Sequence, residues 1–175
     1  MTAVTGNVFT AAQFNQHVRD NLNTTAPAMA TANARLIVTT GANAVTERVP
    51  TVAFTGVNES TATTTFTDLA TVGPSLSATT GTRALIMIGC NASNNIAGLA
   101  SRMVVAVTGA TTIAAADANG FLQESGNISD AFQWTYCFIM TGLTGGSNTF
   151  TAKYRTSAGG GVSTFDNRLL CVIPF

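Results

Sequence analysis

Apolar residues recur every four positions at Phe14, Val18 and Leu22, and this is the only convincing helical pattern in the chain. Its start is well signalled. Thr10 is a good N-cap, Gln13 completes a capping box three residues on, and Phe9 and Phe14 stand at the spacing of a hydrophobic staple. His17, Arg19, Asp20 and Asn21 fall on other faces, and Thr24, Thr25 and Pro27 end the element. A helix of about 13 residues is marginal alone in water. The stripe therefore needs a partner: the remaining domain, a sister chain or another protein.

The pattern then changes period. Residues 26–50 form a light connecting zone, in which Arg35–Thr40 reads as a strand, Gly41-Ala-Asn43 as a turn and Ala44–Val49 as a returning strand. After Pro50 come short strands at regular spacing: Val52–Val57, Thr63–Leu69, Ser75–Thr79, Ala84–Asn91, Arg102–Thr108, Thr111–Ala116, Phe132–Met140, Asn148–Tyr154 and Arg168–Ile173. Alternation is plain in residues 149–155, where Phe150, Ala152 and Tyr154 share one face. Gly120–Ser129 reads as a long corner loop. The expected fold is all-β: a jelly-roll-like β-sandwich of about eight strands with a short N-terminal helix and a small hairpin neck. The expected divisions are an anchoring helix at 1–25, a linker with a hairpin at 26–50 and a head at 51–175.

Composition narrows the role. Charged residues are only 9%, and eight basic side chains balance eight acidic ones, which argues against a nucleic-acid partner. Hydrophobic residues at 46% argue against disorder. The N-terminus has no basic, apolar leader, and no apolar run approaches the roughly 20 residues of a membrane helix. With so few charges, Thr, Ser and Asn must solvate the surface. Near-zero net charge and edge strands without Lys favour a homo-oligomer whose copies cover one another's edges.

Candidate chemistry is sparse. Cys90, Cys137 and Cys171 sit in apolar runs without metal spacing and are expected as buried, reduced thiols. His17 is the single histidine, too isolated for a triad or a metal site. Asp117, Glu124 and Asp130 lie around one corner and read as solvated loop acids rather than a Ca²⁺ site. A glycan hydrolase would need two of these, or Glu59 or Asp68, to converge as paired carboxylates. Gly159-Gly-Gly161 lacks the lysine and helix of a phosphate loop. Trp134, among Phe132, Tyr136 and Phe138, reads as core packing from two faces of one strand. No catalytic, metal or cofactor residue is assigned, and the expectation is a non-enzymatic protein.

The run Val8–Leu22 resembles a segment near the start of many structural proteins of actinobacterial tailed phages and prophages. In that pattern T-A-A precedes an aromatic and then N-x-x-V-R-D-N-L; Thr10, Ala11, Ala12, Phe14, Asn15, Val18, Arg19, Asp20, Asn21 and Leu22 match, with Phe14 where the family often has Trp. Arg35–Ala44 is similar to the family's L-I-x-x-T-G-A-N-A repeat, and residues 142–155 and 167–174 look more loosely like its β-rich heads. The resemblance implies a virion protein assembled in the host cytoplasm, a homotrimer decorating the capsid exterior and docked on the major capsid protein. Phe9, Phe14, Val18, Arg19 and Leu22 are the expected particle-anchoring residues. The alternative is a minor tail or tail-tip protein docked on a tail hub, with a head that binds host glycan. Neither reading involves a membrane.

Overall fold

Burial follows the period of two. Phe150, Ala152 and Tyr154 are fully buried, while Thr149, Thr151 and Lys153 between them are only partly covered. The computed structural model describes Val8, residues 10–23 and residues 25–175. Two compact units meet in sequence at Arg48 and Val49.

The first unit holds α1 (Ala11–Phe14), a π-helical turn (Asn15–Arg19), α2 (Asp20–Leu22), α3 (Ala26–Met29) and the hairpin of β1 (Leu36–Gly41) and β2 (Ala44–Arg48). The capping box forms: Gln13 N donates to Thr10 Oγ1 at 3.2 Å, and Thr10 N donates to Gln13 Oε1 at 3.1 Å. Two expectations change here. The helix is α at both ends but π through its middle, and a further helical turn, α3, follows where the sequence signals a stop. Capping signals mark where a helix begins and carry no information on a mid-helix change of pitch. The staple involves Phe9, which lies outside the described residues. Asn43 turns the hairpin at φ 57°, a left-handed conformation that Asn tolerates. Glu47 accepts hydrogen bonds from Thr31 N at 2.9 Å and Thr31 Oγ1 at 2.7 Å, which hold its carboxyl below the ordinary range.

The second unit is an all-β sandwich. Its strands are β3 (Thr51–Thr55), β4 (Glu59–Thr61), β5 (Ser75–Thr80), β6 (Arg83–Asn94), β7 (Ala100–Gly109), β8 (Gly120–Glu124), β9 (Phe132–Thr141), β10 (Gly146–Thr156) and β11 (Ser163–Pro174). One sheet has the order β3-β11-β6-β9, with β4 also on β11; the other runs β5-β10-β7-β8, and every pairing is antiparallel. Ile86, Ile88, Cys90, Met103, Val105, Phe150, Tyr154, Phe165, Leu170 and Val172 fill the space between the sheets. At one end the filling is polar. Asn94 donates to Thr156 Oγ1 at 3.1 Å and to Ser163 Oγ at 3.0 Å, all buried. Among the described residues, no helix is long and apolar enough to cross a membrane.

Three expected elements are corrected. Thr63–Leu69 and Thr111–Ala116 are not strands; each makes a single bridge, Thr67 to Tyr154 and Ile113 to Val107. A strand needs a free edge along its whole length; β5 holds one edge of β10 over Gly146–Thr151 and β8 holds one edge of β7 over Ala100–Val104, so each segment meets only the short stretch that remains. Gly120–Ser129 is not wholly loop, because its first half is β8, paired with Ala100–Val104. Gly120 allows that approach: a Cβ there would overlap the Met103 carbonyl.

Candidate functional site

Four of the five residues expected to anchor the protein lie among the described residues. Phe14, Val18 and Leu22 are 55%, 38% and 60% exposed, and Arg19 is exposed. Phe9 lies outside the described residues. No described residue of the first unit is buried, so its described residues form no core of their own.

In the head, the outward faces of the two sheets differ sharply. On the four-stranded sheet the outer face is wet. Hydroxyl pairs bridge β5 and β10, Ser75 with Thr151 at 2.9 Å and Ser77 with Thr149 at 2.7 Å. Lys153 pairs with Asp68 at 2.7 Å, and Asp117 takes Arg155 at 2.8 Å and Arg102 at 3.3 Å.

The outer face of the five-stranded sheet is divided. Its polar half carries Ser60, Thr164 and Ser93 in one row and Asp166, Asn91 and Gln133 in another. Between Asp166 and Leu169 the register shifts by one residue, a bulge at which Asn167 takes φ 50°. Beyond the bulge the face becomes apolar. Three rows follow: Phe54, Leu169, Gly89 and Thr135; then Val52, Cys171, Met87 and Cys137; then Ile173, Leu85 and Ile139. Val52, Phe54 and Ile139 are 66%, 62% and 57% exposed. Antiparallel sheets with one face in water normally turn polar residues outward, so this apolar outer face is a candidate interaction surface.

Strand β9 adds a second apolar surface. Phe132, Trp134, Tyr136 and Phe138 pair with Ala92, Cys90, Ile88 and Ile86, all on the inner side of the sheet. The expected core packing of this cluster is corrected twice. The residues share one face, because alternate positions of a strand do. Phe132, Trp134 and Tyr136 also remain 51%, 49% and 41% exposed, since the short β8 covers only part of β9. Nothing in the sequence marks where the opposing sheet stops.

The cysteines separate as well. All are free thiols, but only Cys90 is buried; Cys171 is half-buried and Cys137 exposed, which corrects the expectation of three buried thiols. Burial pushes the Cys90 thiol up to about 12 and raises that of Cys171, the latter with help from Cys137.

Glu124 is exposed, while Asp117, Asp130 and Glu59 each have partners of their own. Asp117 is held by two arginines rather than simply solvated, and Asp130 accepts from Asn127 N and Nδ2 at 3.0 Å each. Glu59 accepts from Thr71 N at 2.8 Å and from Arg168 Nη2 at 2.8 Å. Hydrogen bonding from Thr71, then the Arg168 charge, hold Glu59 below the ordinary range against the opposing effect of burial. Among the described residues no group of three or more His, Cys, Asp or Glu side chains gathers to hold a metal. His17 lies in the π turn, partly covered.

No protein family and no curated protein sequence matches this chain. Among solved structures, it is similar to the VP2 subviral particle of infectious bursal disease virus, at 13% identity and a TM-score of 0.50, over 84% of this chain and 41% of that one. T=1 particles derived from the same virus match at 13% identity and a TM-score of 0.49, over 78% of this chain and 35% of that one. Eiger TNF from S. frugiperda matches at 12% identity and a TM-score of 0.48, over 73% of this chain and 92% of that one. This chain thus spans less than half the length of the viral chains it matches, and what it shares with VP2 is the all-β sandwich fold.

Proposed function

We propose that this is a non-enzymatic virion protein, a homotrimer that decorates the capsid exterior and is anchored to the major capsid protein through its N-terminal segment. The observation that carries the reading is the contrast between the units. The head owns a complete core, whereas no described residue of the first unit is buried and Phe14, Val18 and Leu22 stay exposed. A coreless capped helix gains order by laying its stripe on another surface. The apolar outer face of the five-stranded sheet supports self-association, and the VP2 likeness is to a chain found in a subviral particle. Phe9, Phe14, Val18, Arg19 and Leu22 form the proposed contact.

A second reading, a minor tail or tail-tip protein that binds host glycan, is favoured by one observation: Trp134 and Tyr136 stand half-exposed in a row, as sugar-stacking aromatics do. Quantitative mass spectrometry of purified particles separates the two. We expect a fixed stoichiometry near that of the shell subunit. A handful of copies per particle moves the protein to the tail, and absence from particles overturns both readings.

A further inference from the structure

We propose that the head assembles head-to-tail: the aromatic row of β9 on one copy packs onto the apolar outer face of the five-stranded sheet of the next, and the contact closes into a ring. This deepens the self-association proposed above and rests on it.

Three observations carry the inference. The two apolar surfaces lie on opposite sides of one sheet. Phe132, Trp134 and Tyr136 point to its inner side past the end of β8, and Val52, Phe54, Met87, Cys171 and Ile139 to its outer side. A single two-fold neighbour that matched row to row would leave the outer face bare. A heterologous contact covers both surfaces with one interface, used twice by every copy. Secondly, among the described residues β9 is an edge strand, paired only with β6, and it is apolar on both faces over Tyr136–Ile139. No Lys, Arg, Asp or Glu lies within it to discourage a neighbour. Thirdly, the areas fit. Half-exposed aromatics that bury about 150–250 Å² each when covered offer roughly 300 Å² in the row. The outer face offers about 500 Å² more by the same reckoning, and apolar atoms make up about 56–58% of a typical interface. Each contact then totals about 1,400 Å², inside the standard class of about 1,200–2,000 Å². The rows themselves hold no charged side chain, with Arg83 and Asp166 flanking the outer face at its two ends, so the occupant each surface fits is apolar and neutral, and each finds that occupant on another copy of this chain.

The test is a mixing experiment on the full chain, read by light scattering after size-exclusion chromatography. Trp134→Glu spoils only the row, and Val52→Asp with Met87→Asp spoils only the face. In a head-to-tail ring each variant alone is a monomer, because each lacks one half of the sole contact. Mixed in equal amounts, they form one good contact and give a particle of twice the subunit mass. Alkylation of Cys137 by a maleimide is at least tenfold faster in either variant than in the wild type.

A dimer of either variant alone indicates a two-fold contact and overturns the inference. So does a mixture that stays monomeric. A wild-type oligomer left intact by both variants also overturns it while self-association stands; if Trp134→Glu then loses binding to host cell-wall glycan, the row is a sugar platform instead. A monomeric wild type removes self-association itself. Cooperative melting verifies folding, and Trp134→Ser with Tyr136→Ser replaces the row variant if it does not melt cooperatively.

Discussion

Arg168 is fully buried and ties the loop before β5 to the sheet. It donates to Gly73 O at 3.2 Å and to Glu59 at 2.8 Å, and its guanidinium lies 5.5 Å from the centre of the Tyr154 ring. Tyr154 Oη donates to the same Gly73 carbonyl at 2.8 Å. Removing one partner of a buried pair leaves the others unpaired, so Arg168→Met should lower the unfolding free energy by about 3 kcal/mol in a denaturant titration. Glu59 makes the same cluster sensitive to acid. Its folded-state carboxyl lies below the ordinary 4.5, so the ionised group stabilises the fold fully above that pH. That contribution disappears as the pH falls through the folded-state value, since the unfolded chain then binds the proton more readily. Glu59→Gln should flatten the loss of stability below about pH 4.5, measured as thermal midpoint against pH. A variant that keeps the full acid slope would place the sensitivity elsewhere. This cluster is not legible in the sequence: Arg168 reads as the start of an apolar strand, and only the bulge at Asn167 turns it inward.

At the scale of elements, the helix was legible and most strands were too, because both announce themselves through period. Capping residues fix a start by local hydrogen bonds, and Thr10 with Gln13 does so here. What local chemistry cannot report is how far a strand finds a partner. Thr63–Leu69 has strand composition but meets β10 at one bridge, whereas Gly120–Glu124 looks like loop and finds β7 for its whole length. The N-terminal helix should behave as a separable element. Deleting residues 1–25 should leave the thermal midpoint of the head within about 2 °C, since its core is complete in residues 49–175. Particle binding should fall at least tenfold, as expected when several exposed apolar side chains lose their burial. A truncated chain that still binds particles normally would move the anchor to the head.

For the whole molecule, the distribution of polarity between the sheets governs how it meets other surfaces. Hydroxyl pairs and ion pairs keep the outer face of one sheet polar, while Val52, Phe54, Met87 and Ile139 make half of the other apolar. The sequence by itself determined the all-β class, the capped helix, the hairpin and the sparse charge that leaves apolar faces without electrostatic protection. All of these are properties of neighbours in the chain or of composition. Only the tertiary structure decided which apolar residues are core. Phe150 and Trp134 both point inward from alternating strands, yet one is sealed and the other half-exposed, because β10 is an interior strand and β9 an edge strand beyond much of the opposing sheet. The division of the outer face arises in the same way. A single extra residue at Asn167 resets the phase of β11, and a shift of one position exchanges the two faces of a strand.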